Sequence, residues 1–270
     1  MDLSVNSMNP INPINLGSME KQMAMQQELM AAISHEIRTP VARLSFALQL
    51  FQDALVEDKV GERHEYMMSS CKGMSKDLEE INDLVAEIMT YIYLEDGGPR
   101  IVFQKVEVKA VLINMCLQYS SLNPQLDISV DPSLDDLIID VEPVQLRRAC
   151  QNLVGNAVKY AKSTVALGYR LDGDICVLTV EDDGPGIPEF EYGRIFAPFT
   201  RLGESRNRSA GGFGLGLSIV RRIAYWHGGR AIAGRSEALG GASMMIRLPV
   251  HQPTENLRGP SMADLVDSSA

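Results

Sequence analysis

The segment from Ala31 to Phe51, AAISHEIRTPVARLSFALQLF, places a histidine, a carboxylate and a hydroxyl within one helix-like pattern. Glu36 follows His35 directly, and Thr39 lies one helical turn further on the same face. A carboxylate that is hydrogen-bonded to one imidazole nitrogen makes the other nitrogen a better nucleophile. We therefore predict that His35 is a solvent-facing nucleophile assisted by Glu36; an inert surface histidine is the alternative.

The segment QNLVGNAVKY, at 151–160, puts two amides and a cation on one helical face. Asn152 and Asn156 are four residues apart, and Lys159 and Tyr160 follow one turn later. Neutral amide oxygens complete the coordination of a Mg²⁺ ion that is bound to phosphates, and a lysine neutralises those phosphates. The pattern predicts a magnesium and phosphate site, unless it is an ordinary helix surface.

Two glycine-rich segments suit a nucleotide. In VEDDGPGIP, Gly184 and Gly186 let the backbone approach a flat ligand, and Asp182 can accept a hydrogen bond from an exocyclic amine. A simple turn is the alternative there. SAGGFGLGLSIV leads into an apolar helix whose first N–H groups suit phosphate. The preceding stretch, FAPFTRLGESRNRS, is predicted to be a lid that carries Arg201 and Arg206.

Two kinds of structure must position these segments. Two long stretches with apolar residues at heptad spacing, which include Leu48 and Leu78, flank a charged turn at 56–62. Such a hairpin has too small a core alone, so we predict a homodimer with a four-helix core. A monomeric hairpin packed on its own downstream domain is the alternative.

After a Gly/Pro break at 94–100, strands and helices mix as in a layered α/β sandwich. Pro143 suits the first turn of the helix that carries the amide cluster. Helices are predicted near 107–120, 143–162 and 215–227, and strands near 126–130, 137–140, 164–170, 174–182, 230–235 and 243–249.

Composition narrows the class of protein. The 270 residues are 45% hydrophobic with a formal charge of -10, which argues against general nucleic-acid binding. The four cysteines are far apart, without a C-x-x-C pair, and fit a reducing cytosol rather than a disulfide framework or zinc site. No apolar run reaches the roughly 18 residues that a membrane span needs. We therefore predict a cytoplasmic location, and we expect any membrane attachment to use segments absent from this chain.

In this order, the segments resemble the boxes of the sensor histidine kinases of two-component signalling. SHEIRTP is similar to the family's H box, NLVGNAVKY to its N box, DDGPGIP to G1, IFAPF to the F box and GGFGLGL to G2. The resemblance covers about residues 20–250, and details of the lid sequence are similar to RstB-type kinases. It implies a helical hairpin that forms a dimeric four-helix bundle, followed by an ATP-binding α/β sandwich of the GHKL type.

The resemblance also implies residue roles. ATP would phosphorylate His35, which would pass the phosphoryl group to an aspartate of a response-regulator receiver domain; Thr39 would serve dephosphorylation of that regulator. ATP and Mg²⁺ are the implied cofactors, with Asn156 as magnesium ligand and Asp182 as adenine contact. The same boxes add further nucleotide contacts, which are Ile187, Phe196, Gly212, Gly214, Leu215, Gly216 and Leu217.

The predicted domains are a linker at 1–17, a dimerisation and phosphotransfer domain at 18–95, an ATP-binding domain at 96–250 and a mobile tail at 251–270. The family's membrane spans are missing, so we expect the cytosolic part of an inner-membrane sensor. One alternative is a water-activating ATPase of the gyrase, Hsp90 and MutL kind. Those enzymes carry a glutamate as general base where this chain has Asn152, which cannot accept a proton from water. Another is a nucleotide-binding scaffold without turnover.

A docking surface is predicted below His35. Helical steps along its face lead to Ala42, Arg43 and Phe46, and Phe46 should point outward. An exposed phenylalanine beside small residues needs a cover. We predict that these three residues contact the receiver domain, with Phe46 as an apolar anchor. Contact with the ATP-binding domain is the competing explanation.

Overall fold

The computed structural model describes residues 30–50 apart from 32 and 35, then 63–95, 102–131, 134–202 and 213–252. These residues form two compact units, divided between Ile81 and Asn82. Three predicted site residues lie outside the described residues, namely His35, Arg206 and Gly212. The predicted linker and the turn at 56–62 also lie outside them, as does nearly all of the predicted tail.

The first unit consists of helix α1, described over 30–50, and the first part of helix α2, which spans Arg63–Glu95. Both helices were predicted from heptad spacing, and α1 remains helical through the buried Pro40. The two helices contact each other at Arg43, which donates a 2.7 Å hydrogen bond to Asp77 and also pairs with Glu80. The ion pair fixes the neighbouring faces of α1 and α2 within this unit.

The second unit contains a five-stranded sheet in the order β2-β4-β5-β7-β6. β2 runs parallel to β4, and every other neighbouring pair is antiparallel. A separate two-stranded sheet pairs β1 with β3. The strands are β1 (Gln104–Glu107), β2 (Asp127–Val130), β3 (Ile138–Val141), β4 (Thr164–Asp172), β5 (Ile175–Asp182), β6 (Arg230–Arg235) and β7 (Ala242–Pro249).

Three helices cover the five-stranded sheet. They are α3 (Val108–Leu122), α4 (Pro143–Tyr160) and α5 (Gly216–Trp226), and two short 3-10 helices cover Glu189–Glu191 and Arg194–Phe196. α4 contacts both other helices as well as β5, and its buried side chains recur at helical spacing from Leu146 to Ala157. The predicted class, a helical region followed by an α/β sandwich, is confirmed.

Hydrogen bonds of His227 connect the N-terminal end of α4 with the C-terminal end of α5. Glu142 caps α4 by accepting hydrogen bonds from the N–H groups of Val144 and Gln145, and Pro143 occupies the first turn as predicted. The N–H of Glu142 donates to Nε2 of His227 (3.0 Å), while Nδ1 donates to the carbonyl of Ile223 (2.7 Å). Burial lowers the pKa of His227, so this imidazole stays neutral.

Candidate functional site

The second unit encloses a cavity of about 450 Å³, within the range of small-molecule sites. Its wall combines one face of α4, the end of β5 with the turn after it, and the glycine-rich start of α5. The structure therefore brings together residues from four predicted segments, the fourth being the predicted lid stretch that carries Arg201. The predicted residues in the wall are Asn152, Asn156, Lys159, Tyr160, Asp182, Gly186, Ile187, Arg201, Gly214, Gly216 and Leu217.

The amide face of α4 is pressed against the start of α5. Asn152 donates from Nδ2 to the carbonyl of Arg148 at 3.0 Å, which orients its side chain. A Cβ on Gly216 would lie 2.5 Å from Oδ1 of Asn152, so glycine permits this close approach. Lys159 places its ammonium 4.8 Å from the ring centroid of Tyr160. Amide oxygens and a cation thus share one wall of the cavity.

Asp182 is a buried carboxylate in a fixed orientation. Its Oδ1 accepts hydrogen bonds from the N–H of Gly184 at 2.8 Å and of Ala242 at 3.3 Å. Burial raises its pKa, while the two backbone donors favour the ionised form. The carboxylate is therefore a fixed polar group in a largely apolar wall, which suits recognition of one polar edge of a flat ligand.

A tight backbone contact positions the glycine-rich segment. Gly214 has a φ of +78°, and its carbonyl accepts a hydrogen bond from the N–H of Phe199 at 2.9 Å. A Cβ on Gly214 would lie 2.9 Å from the backbone of Phe199. The contact and the backbone conformation both require glycine here.

Three predicted nucleotide contacts lie behind the wall rather than in it. Phe196 is 4% exposed and Leu215 is fully buried. Gly184 packs its backbone against α4, because a Cβ there would lie 2.5 Å from the carbonyl oxygen of Tyr160. The structure gives these three residues a packing role that supports the wall.

The sequence patterns missed nine residues of the wall. Most are apolar and provide a surface for a flat ring, and alternation along the buried strand β7 was the available signal for two of them, Ala242 and Met244. Glu87 carried no such signal. The missed residues are Glu87, Ala157, Pro185, Ile195, Thr200, Leu202, Phe213, Ala242 and Met244.

Glu87 introduces a second carboxylate into the cavity, from helix α2. Its Oε2 is buried and has no hydrogen-bond partner among the described residues. Burial, followed by the nearby charge of Asp83, raises the pKa of Glu87 to about 7, whereas Lys159 acts in the opposite direction. Ionising a buried carboxyl group that lacks a hydrogen-bond or ion-pair partner costs free energy.

The predicted docking residues on α1 have different environments. Phe46 is 64% exposed and Ala42 is also exposed, as predicted. Arg43 is not a fully outward residue, because its guanidinium turns toward Asp77 and Glu80 of α2. Its neighbour along the chain, Leu44, is half-buried.

Two features are absent from the part of the chain that the structure describes. It includes no helix that is long and apolar enough to cross a membrane. It also includes no group of three or more His, Cys, Asp or Glu side chains that could hold a metal ion.

Two family models match successive regions of the chain. Residues 25–87 match the His Kinase A (phospho-acceptor) domain, and residues 141–252 match the histidine kinase-, DNA gyrase B-, and HSP90-like ATPase family. Together the two matches cover more than half of the chain. The protein belongs to the sensor histidine kinases, which confirms the resemblance inferred from the sequence.

Individual relatives agree with this assignment. The chain is 30% identical to the sensor protein RstB of Escherichia coli K12 over 228 residues, which are 84% of this chain and 50% of RstB. It is 32% identical to the sensor histidine kinase CpxA of the same strain over 241 residues, 87% of this chain and 49% of CpxA. The chain thus spans about half the length of the curated relatives it matches.

Solved structures show the same fold. The histidine kinase ThkA, solved in complex with the response regulator protein TrrA, matches with a TM-score of 0.65 at 18% identity, over 90% of this chain and 68% of that one. The Acinetobacter baumannii histidine kinase AdeS matches with a TM-score of 0.62 at 21% identity, over 80% of this chain and 98% of that one.

Proposed function

We propose that this chain is the cytoplasmic kinase core of a two-component sensor. It binds ATP in the cavity, transfers the γ-phosphoryl group to His35, and passes that group to an aspartate of a response-regulator receiver domain. The observation that carries the proposal is the convergence in one cavity of the amide face of α4, the fixed carboxylate of Asp182 and the glycines that open α5.

Each part of the wall suits one part of ATP. The buried Asp182 would accept a hydrogen bond from the adenine amine, among apolar neighbours such as Met244 and Ile187. Lys159 and Arg201 would lie beside the phosphates, where cations stabilise the charge of the transferring group. A ring nitrogen of His35 would attack the γ-phosphorus as its bond to the bridging oxygen breaks and ADP leaves.

The wall also fits a magnesium ion. Asn156 supplies a neutral amide oxygen one turn from Asn152, and Mg²⁺ in such sites takes its remaining ligands from phosphates and water. When bound, the ion would neutralise charge on the transferring phosphoryl group. We propose Asn156 as its protein ligand.

A homodimer and a receiver domain are the proposed partners. Leu48 and Leu78, which the heptad spacing places on the apolar seam, are 50% and 53% exposed in the single chain, and a second copy would cover them. The ThkA kinase was solved in complex with a response regulator protein. By analogy, Phe46 and Ala42 would contact the receiver domain below His35. Arg43 would contact that domain only with the part of its side chain that does not face Asp77 and Glu80.

The direct test is acid-labile phosphate on the protein after incubation with ATP and Mg²⁺. We expect His35→Gln to bind nucleotide with unchanged affinity but to take up no phosphate, because glutamine offers no nucleophilic nitrogen. His251→Gln, an exposed histidine on the other unit, is the matched control and should label like the wild type. Labelling of His35→Gln at the wild-type rate would refute the assignment.

Thr39 is proposed to support a separate phosphatase activity toward the regulator. Its hydroxyl would orient the water that attacks a phosphoryl-aspartate on the docked partner, so Thr39→Ala should retain autophosphorylation and lose most phosphatase activity. Regulator dephosphorylation and kinase labelling are measured in parallel. Equal loss of both would favour the alternative, a hydroxyl that bonds back to its own helix before Pro40.

The ATPase and scaffold alternatives predict different products. An ATPase would release inorganic phosphate without labelling the protein, and a scaffold would do neither. The amide of Asn152 cannot serve as a general base at neutral pH, which argues against the first.

A further inference from the structure

The last part of α2 belongs to the ATP-binding unit. From Asn82 onward the helix lies in the second unit, and it buries four apolar side chains at helical spacing, which are Leu84, Ile88, Tyr91 and Leu94. The carbonyl of Leu94 accepts a 3.0 Å hydrogen bond from Nε of Arg222, an α5 side chain that is only 4% exposed. We call Asn82–Glu95 the docked segment.

Glu87 extends from the docked segment into the nucleotide cavity. It lies on the same helical face as the buried Leu84 and Tyr91, so docking of that face carries the carboxylate into the wall. Its Oε2 has no partner among the described side chains, although the cavity wall also contains Lys159 and Arg201. The segment therefore places in the cavity a carboxyl group that is negatively charged when ionised and whose Oε2 has no hydrogen-bond partner among the described residues.

That charge and the phosphates of ATP compete for the same cation. Lys159 lowers the cost of ionising Glu87, and the same ammonium is proposed to face the phosphates. Two anions close together in a site shielded from water repel each other far more strongly than they do in bulk solvent. Nucleotide with phosphates is thus disfavoured while the carboxylate is in place.

We propose that Glu87 opposes ATP binding, so that the docked segment and the polyphosphate of ATP displace each other from the cavity. The proposal rests on the proposed function, because it takes the cavity to be the ATP site. By linkage, the factor by which docking weakens ATP binding equals the factor by which ATP weakens docking.

The electrostatics of the segment agree with this arrangement. Burial and Asp83 raise the pKa of Glu87 to about 7, with Lys159 acting against them, and Asp182 and Arg201 are the other charged groups in the wall. The docked carboxyl holds its proton to higher pH than a solvated one does. Docking therefore weakens as pH rises from the range of an ordinary glutamate through about 7.

The test is equilibrium binding of ATP and of adenosine to the full chain, with and without Mg²⁺. We compare Glu87→Gln with Glu79→Gln, which removes the same charge from an exposed site two turns earlier on α2. Glu87→Gln should tighten ATP binding by at least about fivefold. Repulsion from a nearby unit charge has a larger effect than this at an effective dielectric constant near 20. Adenosine affinity, and both affinities of Glu79→Gln, should stay within about twofold of wild type.

A second measurement keeps the inference falsifiable if the variant alters packing. Hydrogen exchange of the backbone amides at 82–94 should accelerate when ATP, but not adenosine, binds the wild-type chain. Unchanged or weaker ATP binding by Glu87→Gln, an equal gain for adenosine, or slower exchange with ATP would each overturn the proposal. Loss of ATP hydrolysis in Glu87→Gln would instead identify a general base. Normal ATP binding without phosphate on His35 would refute the kinase proposal alone.

Discussion

The two units of this chain differ in how their functional residues are positioned by packing. Up to Ile81, Pro40 alone is buried among the residues whose side chains are described, and apolar positions such as Leu78 face outward. From Asn82 onward, a continuous apolar core extends through the sheet and helices, with Leu153, Leu178 and similar side chains almost fully buried. The second unit fixes its polar residues by its own packing.

The difference shows which functions a single chain can support. The cavity needs only residues of the second unit, since Asp182, Asn152 and Gly214 are held by contacts within it. Helix α1 has no equivalent core among the described residues, which agrees with the proposed homodimer as the source of its geometry. We therefore expect nucleotide binding to survive changes that abolish dimerisation, and phosphate uptake to depend on both units.

The largest effect should follow Leu78→Asp. A charge on the apolar seam costs several kcal/mol when buried, so the homodimer should dissociate and autophosphorylation should fall by more than about tenfold. ATP affinity should remain within about twofold. Sedimentation and labelling measure the two effects, and Ser69→Asp, exposed on the outward face of α2, is the control for added charge. A dimeric Leu78→Asp protein would support the monomeric hairpin instead.

Gly214→Ala should affect the other unit. The new Cβ meets the backbone of Phe199, and alanine disfavours a φ of +78° by about 1 kcal/mol or more, so ATP should bind about tenfold more weakly while the dimer persists. Titration with ATP and sedimentation provide the measurements. Gly73→Ala is the matched control, because a Cβ there meets nothing within 4 Å and alanine favours the helix. Similar ATP affinities for both variants would show that the loop tolerates the contact.

The smallest effect is expected at the exposed surface of α1. Phe46→Ala should slow transfer to the cognate regulator by several-fold, on the order of 1 kcal/mol or more for an apolar anchor, and should leave autophosphorylation nearly intact. Val41→Ala, a change at another exposed apolar residue of α1, should alter neither rate. A fall in autophosphorylation with normal transfer from pre-phosphorylated protein would place Phe46 at the domain interface.

Local sequence patterns predicted a helix or strand correctly where the pattern lay within that element alone. The helix that carries the amides was expected at 143–162 and spans Pro143–Tyr160, and β5 was expected at 174–182 and spans Ile175–Asp182. β1 was missed, because Gln104–Glu107 is short and only Val106 is even partly buried. It is a strand through its pairing with β3, which is remote in sequence.

Residues whose position depends on two remote segments escaped prediction. The heptad spacing of α2 did not predict that Leu84 and Tyr91 would be buried beside Ile88 in the second unit. The burial of these side chains brings Glu87 into the cavity, and it follows from tertiary packing rather than from the sequence pattern. Arg43 is similar, because its ion pair requires α2 to lie beside α1.

His227 shows how packing can exclude an imidazole from the proposed phosphorylation. Its Nδ1–H donates a hydrogen bond to the carbonyl of Ile223, and its Nε2 lone pair accepts one from the N–H of Glu142. A ring with both nitrogens committed inside a packed layer has no electron pair to offer an electrophile. The hydrogen bonds of this packed layer thus exclude one competing acceptor in the unit that contains the proposed ATP site.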